Sequence, residues 1–335
     1  MHVQLKQLED QVIVITGASS GIGRTTARLA VARGAQVVLS ARDETDLQDA
    51  VAEITVNGGQ ATHMVADVAD MDALRSVATL ALERFGRIDS WINNAGVAIY
   101  GRIEQVPLDD ARRLFETNYW GVVNGSLIAA EYLRTAGGAI INVGSIASER
   151  AIPLQGHYSA SKHAVKGFTD AFRMELEEAN ARISVTLVKP GAIDTPYPEH
   201  ARNFMDAEPR HPPPVYTPDT VARAILHCCE HPRRDVTVGG AGKMITTMGT
   251  LAPRATDYWM EATIFEQQQR AEPGRLPQND TLYAPRAHDA RERGDQPGHV
   301  MRSSAYTQAS LHPVTTLLGT AIVFAAIGSV MRGKR

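Results

Sequence analysis

Cysteine is almost absent from this chain. The 335 residues include two cysteines, Cys228 and Cys229, which are adjacent. Neighbouring cysteines rarely form a disulfide with each other, and no spacing typical of a metal site is present. This usage excludes a disulfide-stabilised secreted scaffold and a cysteine-based metal module. We expect two reduced, partly buried thiols and no bound metal.

A strong excess of one charge sign is also missing. The formal net charge is -3 and the pI is near 6.4, so nothing favours nucleic acid as a partner. The first ten residues are polar, and the first apolar run covers only residues 12–15, so no secretory signal is predicted. The length allows one large α/β domain with an appendage.

A glycine-rich turn follows the first predicted strand. Residues 11–16 (QVIVIT) are typical of a buried strand and precede a segment of helical composition. Between them lie Gly17, Ser19, Ser20, Gly21, Ile22 and Gly23. Glycines let the backbone approach phosphate groups, and the start of a helix offers N–H groups and a positive dipole end. The sequence therefore predicts a pyrophosphate-binding turn.

The end of the second predicted strand indicates which dinucleotide binds. It reads Ser40-Ala41-Arg42, with no acidic residue before the arginine. An acid at this place would bond the ribose hydroxyls of NAD, whereas a guanidinium can pair with the 2′-phosphate of NADP. Asp43 lies one position late for the acidic role. We predict NADP(H) in preference to NAD(H), with a merely solvent-facing Arg42 as the alternative.

The next two strands end on residues suited to the same cleft. Asp67 and Val68 follow the third strand, where Asp67 either bonds the adenine amino group or caps a helix. Asn94, Ala95 and Gly96 follow the fourth strand. Small and amide residues there let the backbone pass close to a cofactor while side chains brace neighbouring strands.

A tyrosine and a lysine four residues apart are the chemical centre of the chain. Tyr158 and Lys162 lie one turn apart on a predicted helix, where the ammonium can lower the pKa of the phenol. Such a phenol can exchange a proton with an alcohol or carbonyl oxygen. Ser145 ends the fifth strand, where open α/β sheets bind ligands. Asn118 lies inside a predicted helix, where an amide either has a hydrogen-bonding task or is simply exposed.

Together these motifs resemble the short-chain dehydrogenase/reductase family over about residues 9–245. The matching residues, in the family's order and spacing, are Thr16-Gly17-x3-Gly21-Ile22-Gly23, Asp67, Asn93-Asn94-Ala95-Gly96, Asn118, Ser145, Tyr158-x3-Lys162, Pro190-Gly191 and Thr195. The resemblance implies an α/β Rossmann fold with a doubly wound parallel sheet. It also implies reversible hydride transfer between a nicotinamide and an alcohol or carbonyl.

The resemblance implies roles for the matched residues. Tyr158 is the general acid/base, and Lys162 lowers its pKa and bonds the nicotinamide ribose. Ser145 holds the substrate oxygen, and Asn118 anchors a water through which protons leave. The cofactor also contacts the stretch after the sixth strand, with Thr195 at the carboxamide; its predicted contacts there are Pro190, Gly191, Ile193 and Thr195. A homodimer through the helices carrying Asn118 and Tyr158 is implied as well.

The chain is longer than this family's usual domain, so three parts are predicted. Residues 1–250 form the cofactor-binding and catalytic domain, and residues 251–310 form a helix followed by a weakly ordered linker. Residues 311–331 form a transmembrane anchor, because residues 303–331 contain no Asp, Glu, Lys or Arg. As a helix, residues 314–331 would span about 27 Å of a bilayer core of roughly 30 Å. The alternatives are a helix packed on the domain or a second subunit, or an interfacial helix.

A proline-rich loop and the tail together suggest the kind of substrate. Residues 196–218 predict a stiff lid in which Tyr197, Phe204, Met205 and Tyr216 line an apolar pocket or merely anchor a surface loop. We expect a membrane-attached NADP(H)-dependent oxidoreductase with its catalytic domain in the cytoplasm and a small lipophilic substrate. The alternative is a non-catalytic membrane scaffold that senses the dinucleotide. Loss of Ser145, Tyr158 or Lys162 would favour the scaffold, but all three are present.

Overall fold

A parallel sheet of seven strands forms the centre of the molecule. The computed structural model describes residues 3–274, 280–286, 289–313 and 316. The strands of the described chain, in the central sheet and in three two-stranded sheets, are β1 (Val12–Thr16), β2 (Gln36–Ala41), β3 (Gln60–Val65), β4 (Ser90–Asn93), β5 (Ile99–Tyr100), β6 (Gly138–Val143), β7 (Ile183–Pro190), β8 (Arg202–Asn203), β9 (Ala207–Pro209), β10 (Val215–Tyr216), β11 (Asp235–Val238), β12 (Gln269–Pro273) and β13 (Val300–Met301). The central sheet has the order β11-β7-β6-β4-β1-β2-β3.

Helices cover both faces of this sheet. They are α1 (Gly21–Val31), α2 (Glu44–Val56), α3 (Met71–Phe85), α4 (Leu108–Phe115), α5 (Gly121–Ala136), α6 (Gly156–Glu178), α7 (Tyr197–His200), α8 (Pro218–Glu230), α9 (Gly240–Leu251), α10 (Pro253–Gln267) and α11 (Ala305–Leu311). One apolar core unites α1, α2 and α8 with the sheet, and a second unites α3, α5 and α6 with it. This confirms the predicted Rossmann-like α/β fold.

The strand order reverses between β1 and β4, and this reversal places the site. The two strands are parallel neighbours, with Ile15 opposite Ile92. Chain connections leave them in opposite directions across the sheet, so a crevice opens at their carboxyl ends. The glycine-rich turn follows β1 and the Asn94–Gly96 stretch follows β4 at the same edge.

The described residues beyond 250 pack against the domain, unlike the weakly ordered linker expected. α10 covers most of the helix expected there, and β12 pairs with β9 while β13 pairs with β10. Leu282 is fully buried, and Arg293 forms an ion pair with Asp194 at 2.9 Å. The segment is poor in large aliphatics, so composition predicted a loose tail. In residues 280–295, buried Leu282 and a set of ion pairs hold the chain in place instead.

The predicted membrane anchor falls mainly outside the described residues. Of residues 311–331, the structure describes only 311–313 and 316. Leu311 ends α11 and is buried in the core beside β11. Within the described part of the chain, no helix combines the length and the apolar character needed to cross a membrane.

Candidate active site

The glycine-rich turn is held tightly against the end of β4. Gly17 has a φ of 64°, in the left-handed region that favours glycine. The Asn94 side-chain amide donates to the carbonyl oxygens of Thr16 and Gly17 at 3.1 and 3.0 Å. A Cβ on Gly23 would lie 2.1 Å from the Gly17 carbonyl oxygen. Gly23 therefore permits the close packing of α1 on the turn.

A cleft with a free volume of about 190 Å³ opens above this turn. Most of the predicted cofactor residues line it: Gly17, Ser19, Ser20, Gly21, Ile22, Arg42, Asp67, Val68, Asn94, Ala95, Gly96 and Thr195. Gly23 is not among the lining residues, and its place is the packing beneath them. The predicted residues that follow β1, β2, β3 and β4 therefore line the same cleft.

The cleft fits a phosphate-bearing dinucleotide. Ser20, at the start of α1, makes no side-chain capping bond, so the first turn of the helix presents backbone N–H groups to the cleft, apart from that of Gly21, which donates to the Arg291 carbonyl oxygen at 2.9 Å. A Cβ on Gly17 would lie 2.7 Å from the Ala95 Cα, so even one methyl group would crowd the floor. A cofactor held here supplies hydride chemistry, and the residues after β1 and β4 would hold it.

Arg42 and Asp67 lie at the far end of the cleft, each already partnered. The Arg42 guanidinium donates to the carbonyl oxygens of Thr281 and Leu282, and burial lowers its pKa. Asp67 accepts from the Ala69 N–H at 3.0 Å and pairs with Arg113. Burial alone would raise the pKa of Asp67, but these bonds bring it below its usual value. Both predicted residues are in place, within a charged network that the sequence did not indicate.

A second cavity, of about 150 Å³, adjoins the cleft and contains the predicted catalytic groups. Its lining includes the predicted Ser145, Tyr158, Lys162, Pro190, Gly191 and Ile193. The two spaces share Gly96 and Thr195. Tyr100, Ile152, Gln155, Tyr197 and His211 form much of the remaining wall. A small molecule in the second cavity would therefore meet a cofactor held in the first.

Tyr158 is a buried phenol with two hydroxyl neighbours. It is 8% exposed, and burial raises its pKa, while hydrogen bonds with Ser145 and Tyr197 lower it in part. The Tyr197 hydroxyl also donates to the Gln155 side-chain oxygen at 3.0 Å. The resulting phenol is protonated at neutral pH, which suits proton donation to a carbonyl oxygen.

Lys162 lies near Tyr158 but donates elsewhere. Its Nζ is 5.8 Å from the centre of the Tyr158 ring and donates to the Val143 carbonyl oxygen at 2.9 Å. Burial lowers the pKa of Lys162 to about 8. The bonds that offset the burial of the phenol come from Ser145 and Tyr197. The lowering of the Tyr158 pKa by Lys162 therefore stays a prediction.

Asn118 braces the floor beneath these groups. The predicted long helix is interrupted by a π-helical turn, Glu116–Trp120, that contains Asn118. The side chain accepts from the Val97 N–H at 2.8 Å and donates to the Val97 carbonyl oxygen and to the Ser161 hydroxyl. Asn118 is therefore hydrogen-bonded and buried, the first of the two alternatives that its position inside a helix indicated. It is absent from the lining of both cavities, and its predicted water-binding role is untested.

The proline-rich loop contributes one of its four predicted pocket residues. Tyr197 lines the second cavity, whereas Tyr216 is buried in the first core. Phe204 and Met205 pack with Tyr100 behind the cavity wall. His211 lines the cavity and was missed; burial and the nearby Arg270 lower its pKa to about 4, so it is neutral. No local motif distinguishes His211 in the sequence.

The model of the short chain dehydrogenase family matches residues 11–206. A relative that is 42% identical over 319 residues is the uncharacterized oxidoreductase YxnA of Bacillus subtilis, and the match covers 94% of this chain and 89% of the relative. The dehydrogenase/reductase SDR family member 7B of Xenopus tropicalis is 34% identical, covering 76% and 86%. The putative oxidoreductase SadH of Mycobacterium tuberculosis is 31% identical, covering 74% and 92%.

Solved structures show the same fold. A short chain dehydrogenase/reductase from Burkholderia phymatum in complex with NAD aligns with a TM-score of 0.64 at 25% identity, covering 82% of this chain and 100% of that one. An alcohol dehydrogenase from Thermococcus sibiricus complexed with 5-hydroxy-NADP aligns with a TM-score of 0.60 at 26% identity, covering 68% and 95%. The chain belongs to the short-chain dehydrogenase family and is an oxidoreductase acting on CH–OH donors.

Proposed function

We propose that this enzyme interconverts a hydroxyl and a carbonyl group on a small lipophilic substrate, with NADP(H) as cofactor and Tyr158 as acid/base. The observation that carries the proposal is the position of the Tyr158 phenol. It lies in the cavity beside Ser145 and Lys162, where that cavity meets the dinucleotide cleft. The dinucleotide-sensing scaffold is not favoured, because the groups needed for proton transfer are present and share one cavity.

The chain's own residues account for the proton and the orientation. Ser145 and Tyr158 together hold the substrate oxygen, and the protonated phenol donates to it when a carbonyl is reduced. A charged Lys162 then stabilises the phenolate that remains, because an opposite charge nearby favours the ionised form. Tyr197, which belongs to the proline-rich loop, forms a hydrogen bond with the Tyr158 phenol.

The preference for NADP(H) rests on the cations at the far end of the cleft. Arg42 lines the cleft, and Arg113 pairs with Asp67, which also lines it, close enough to Arg42 to affect its charge. Guanidinium groups recognise phosphate by charge-assisted hydrogen bonds. Arg113 neutralises Asp67, which removes one carboxylate that would otherwise repel a 2′-phosphate.

A panel of carbonyl compounds tests the function. We expect the full-length protein to oxidise NADPH faster than NADH with ketones and aldehydes, and its kcat/KM to rise with chain length and ring number. The reason is that the cavity has apolar walls and buried aromatic rings, and each added methylene gains about 0.8 kcal/mol on burial. Tight NADPH binding without turnover of any compound would contradict the proposal and favour the scaffold.

Membrane attachment is the second part of the proposal, and an exposed apolar surface supports it. Met244, Met248 and Leu251 lie on one side of α9, and Tyr258 and Trp259 lie exposed on α10; we call these five residues the α9–α10 face. Tyrosine and tryptophan suit the boundary between lipid and water. α11, which leads into the apolar tail, packs beside the start of α9. The last described helix therefore lies beside the helix that carries three of these five side chains.

Flotation with liposomes checks this attachment. We expect the wild-type chain to float with neutral vesicles and a Met248→Glu/Leu251→Glu variant to float less, because two charges would enter the lipid boundary. Val56→Glu is the control, since Val56 is an exposed apolar side chain on α2, outside this face. A wild-type chain that stays at the bottom of the gradient would refute membrane attachment and leave the reaction unaffected.

The predicted homodimer is supported by exposed apolar side chains on the two helices concerned. Trp120 is exposed at the end of the π-helical turn just before α5, Leu127 is exposed in the middle of α5, and Met174 is exposed on α6. Burying such side chains against a second copy would remove them from water.

A further inference from the structure

A C-terminal segment outside the range of the family model crosses the cofactor cleft. We call residues 280–286 and 289–294 the strap. Its Leu282 side chain is fully buried in the apolar cluster that contains Tyr100 and Leu114. The Thr281 N–H donates to the His200 carbonyl oxygen at 2.9 Å. Four strap residues line the cleft: Thr281, Pro285, Arg286 and Asp289.

The far end of the strap is fastened to the glycine-rich turn and its surroundings. The Gly21 N–H donates to the Arg291 carbonyl oxygen at 2.9 Å. Glu292 pairs with Arg28 of α1 at 2.7 Å, and Arg293 pairs with Asp194 at 2.9 Å. Because both ends are anchored, the strap stands as an outer wall opposite the wall formed by β1, β2 and β3.

Carboxylates outnumber arginines among the described residues that line the cleft, so a phosphate-bearing ligand needs the nearby cations. Four carboxylates line it: Asp43, Asp46, Asp67 and Asp289. Among the described lining residues the arginines are Arg42 and Arg286. Phosphate groups in such a place are repelled unless cations lie close, since like charges at short range raise the energy. Arg42 already donates to two carbonyl oxygens of the strap.

Arg286 has hydrogen-bonding capacity to spare. Its Nη1 donates to the Glu199 carbonyl oxygen at 3.0 Å, and the guanidinium lies 3.5 Å from Asp289. A guanidinium has five N–H donors, so these contacts leave several for a ligand. Asp289 is itself shared with His200 and Arg291, which hold its pKa well below the usual range against the opposing effect of burial. Asp289 thus holds the Arg286 guanidinium in place, but its negative charge is shared with His200 and Arg291 and does not fully neutralise Arg286.

We propose that the strap is the outer wall of the cofactor site and that Arg286 binds the phosphate groups of the dinucleotide. The proposal rests on the proposed function only in that a phosphate-bearing dinucleotide is the ligand. It assigns to residues beyond 250 a share of cofactor recognition. It also implies that bound cofactor and strap protect each other from solvent.

Binding of NADPH to the full-length protein, followed by nucleotide fluorescence, tests the proposal. We expect Arg286→Gln to raise the Kd about tenfold or more, because a charge-assisted hydrogen bond to phosphate is lost. Arg286→Lys should recover part of the affinity, since the charge remains. Arg75→Gln is the matched control: Arg75 pairs with Glu131 on the exposed surface of α3 and α5, away from both cavities. Its Kd should equal that of the wild type.

Hydrogen exchange of the strap gives a second, independent readout. Saturating NADPH should slow amide exchange in residues 280–286 and 289–294 of the wild type. Faster exchange with NADPH would mean that the strap is displaced by the cofactor, and would overturn the proposal. An unchanged Kd for Arg286→Gln in a protein that binds NADPH would overturn it too, and would leave the proposed function standing. A wild type that binds no NADPH would refute both.

Discussion

Replacing Tyr158 by phenylalanine should lower kcat for carbonyl reduction by about 10²–10⁴-fold, the range typical of a positioned acid/base. The substitution removes one oxygen atom and keeps the ring, which packs edge-on against Tyr197 with centroids 5.6 Å apart. The cavity should therefore keep its shape. The Kd for NADPH should stay within about twofold, because the phenol acts on the substrate oxygen. Stopped-flow kinetics and a fluorescence titration measure the two quantities.

Tyr132→Phe is the control for this experiment. It removes the same atom from a partly buried tyrosine on α5, which packs against the second core and lines neither cavity. Its kcat should match the wild type. If Tyr158→Phe kept wild-type turnover, the acid/base role would be wrong. Ser145, Lys162 and an ordered water would then have to account for proton transfer.

Replacing Gly23 by alanine should cost both stability and cofactor binding. The added Cβ would meet the Gly17 carbonyl oxygen at 2.1 Å and the Asn94 amide nitrogen at 2.7 Å. Neither is the free end of a flexible chain, so α1 must move away from the turn. Overpacking of this kind costs about 1–3 kcal/mol of the free energy of unfolding. Displacing the start of α1 should also weaken NADPH binding by at least about tenfold.

Gly167 is the matched position for this test. It lies in α6, is exposed, and would place a Cβ with nothing within 4 Å. Gly167→Ala should leave the Kd unchanged and raise the free energy of unfolding by about 0.5–1 kcal/mol, because alanine favours the helix. Denaturant unfolding and NADPH titration compare the two variants. A stable, tightly binding Gly23→Ala protein would contradict the packing derived for the turn.

The sequence was most informative where function depends on short-range spacing. Gly17 to Gly23 lie in one turn, and Tyr158 and Lys162 lie one helical turn apart, so local geometry determines their placement. The same holds for residues at the ends of parallel strands, because all those ends meet at one edge of the sheet. Apart from Gly23, which packs beneath the turn, the predicted cofactor residues therefore line two adjoining cavities.

Contacts between distant parts of the chain could not be predicted in this way. The bond from Arg42 to Thr281 joins residues far apart in the sequence, and no periodic pattern marks either end. Tyr197 was expected only as an apolar wall, yet its hydroxyl bonds the phenol of Tyr158. The π-helical turn at Asn118 has no signal beyond one polar residue in an apolar helix. Composition also misjudged the strap, because ion pairs and one leucine replace a broad apolar face.

The bond between Gly21 and Arg291 has a consequence for how the protein is made. Ribosomes add about 5–20 residues per second, so roughly 15–50 s separate the synthesis of these two residues. During that time the β1 turn and its neighbouring strands can fold, but the strap does not yet exist. The nascent enzyme therefore passes through a stage with a half-built nucleotide site. Contacts of such high sequence separation also slow the final folding step, so the enzyme should acquire full cofactor affinity only after the rest of the domain has folded.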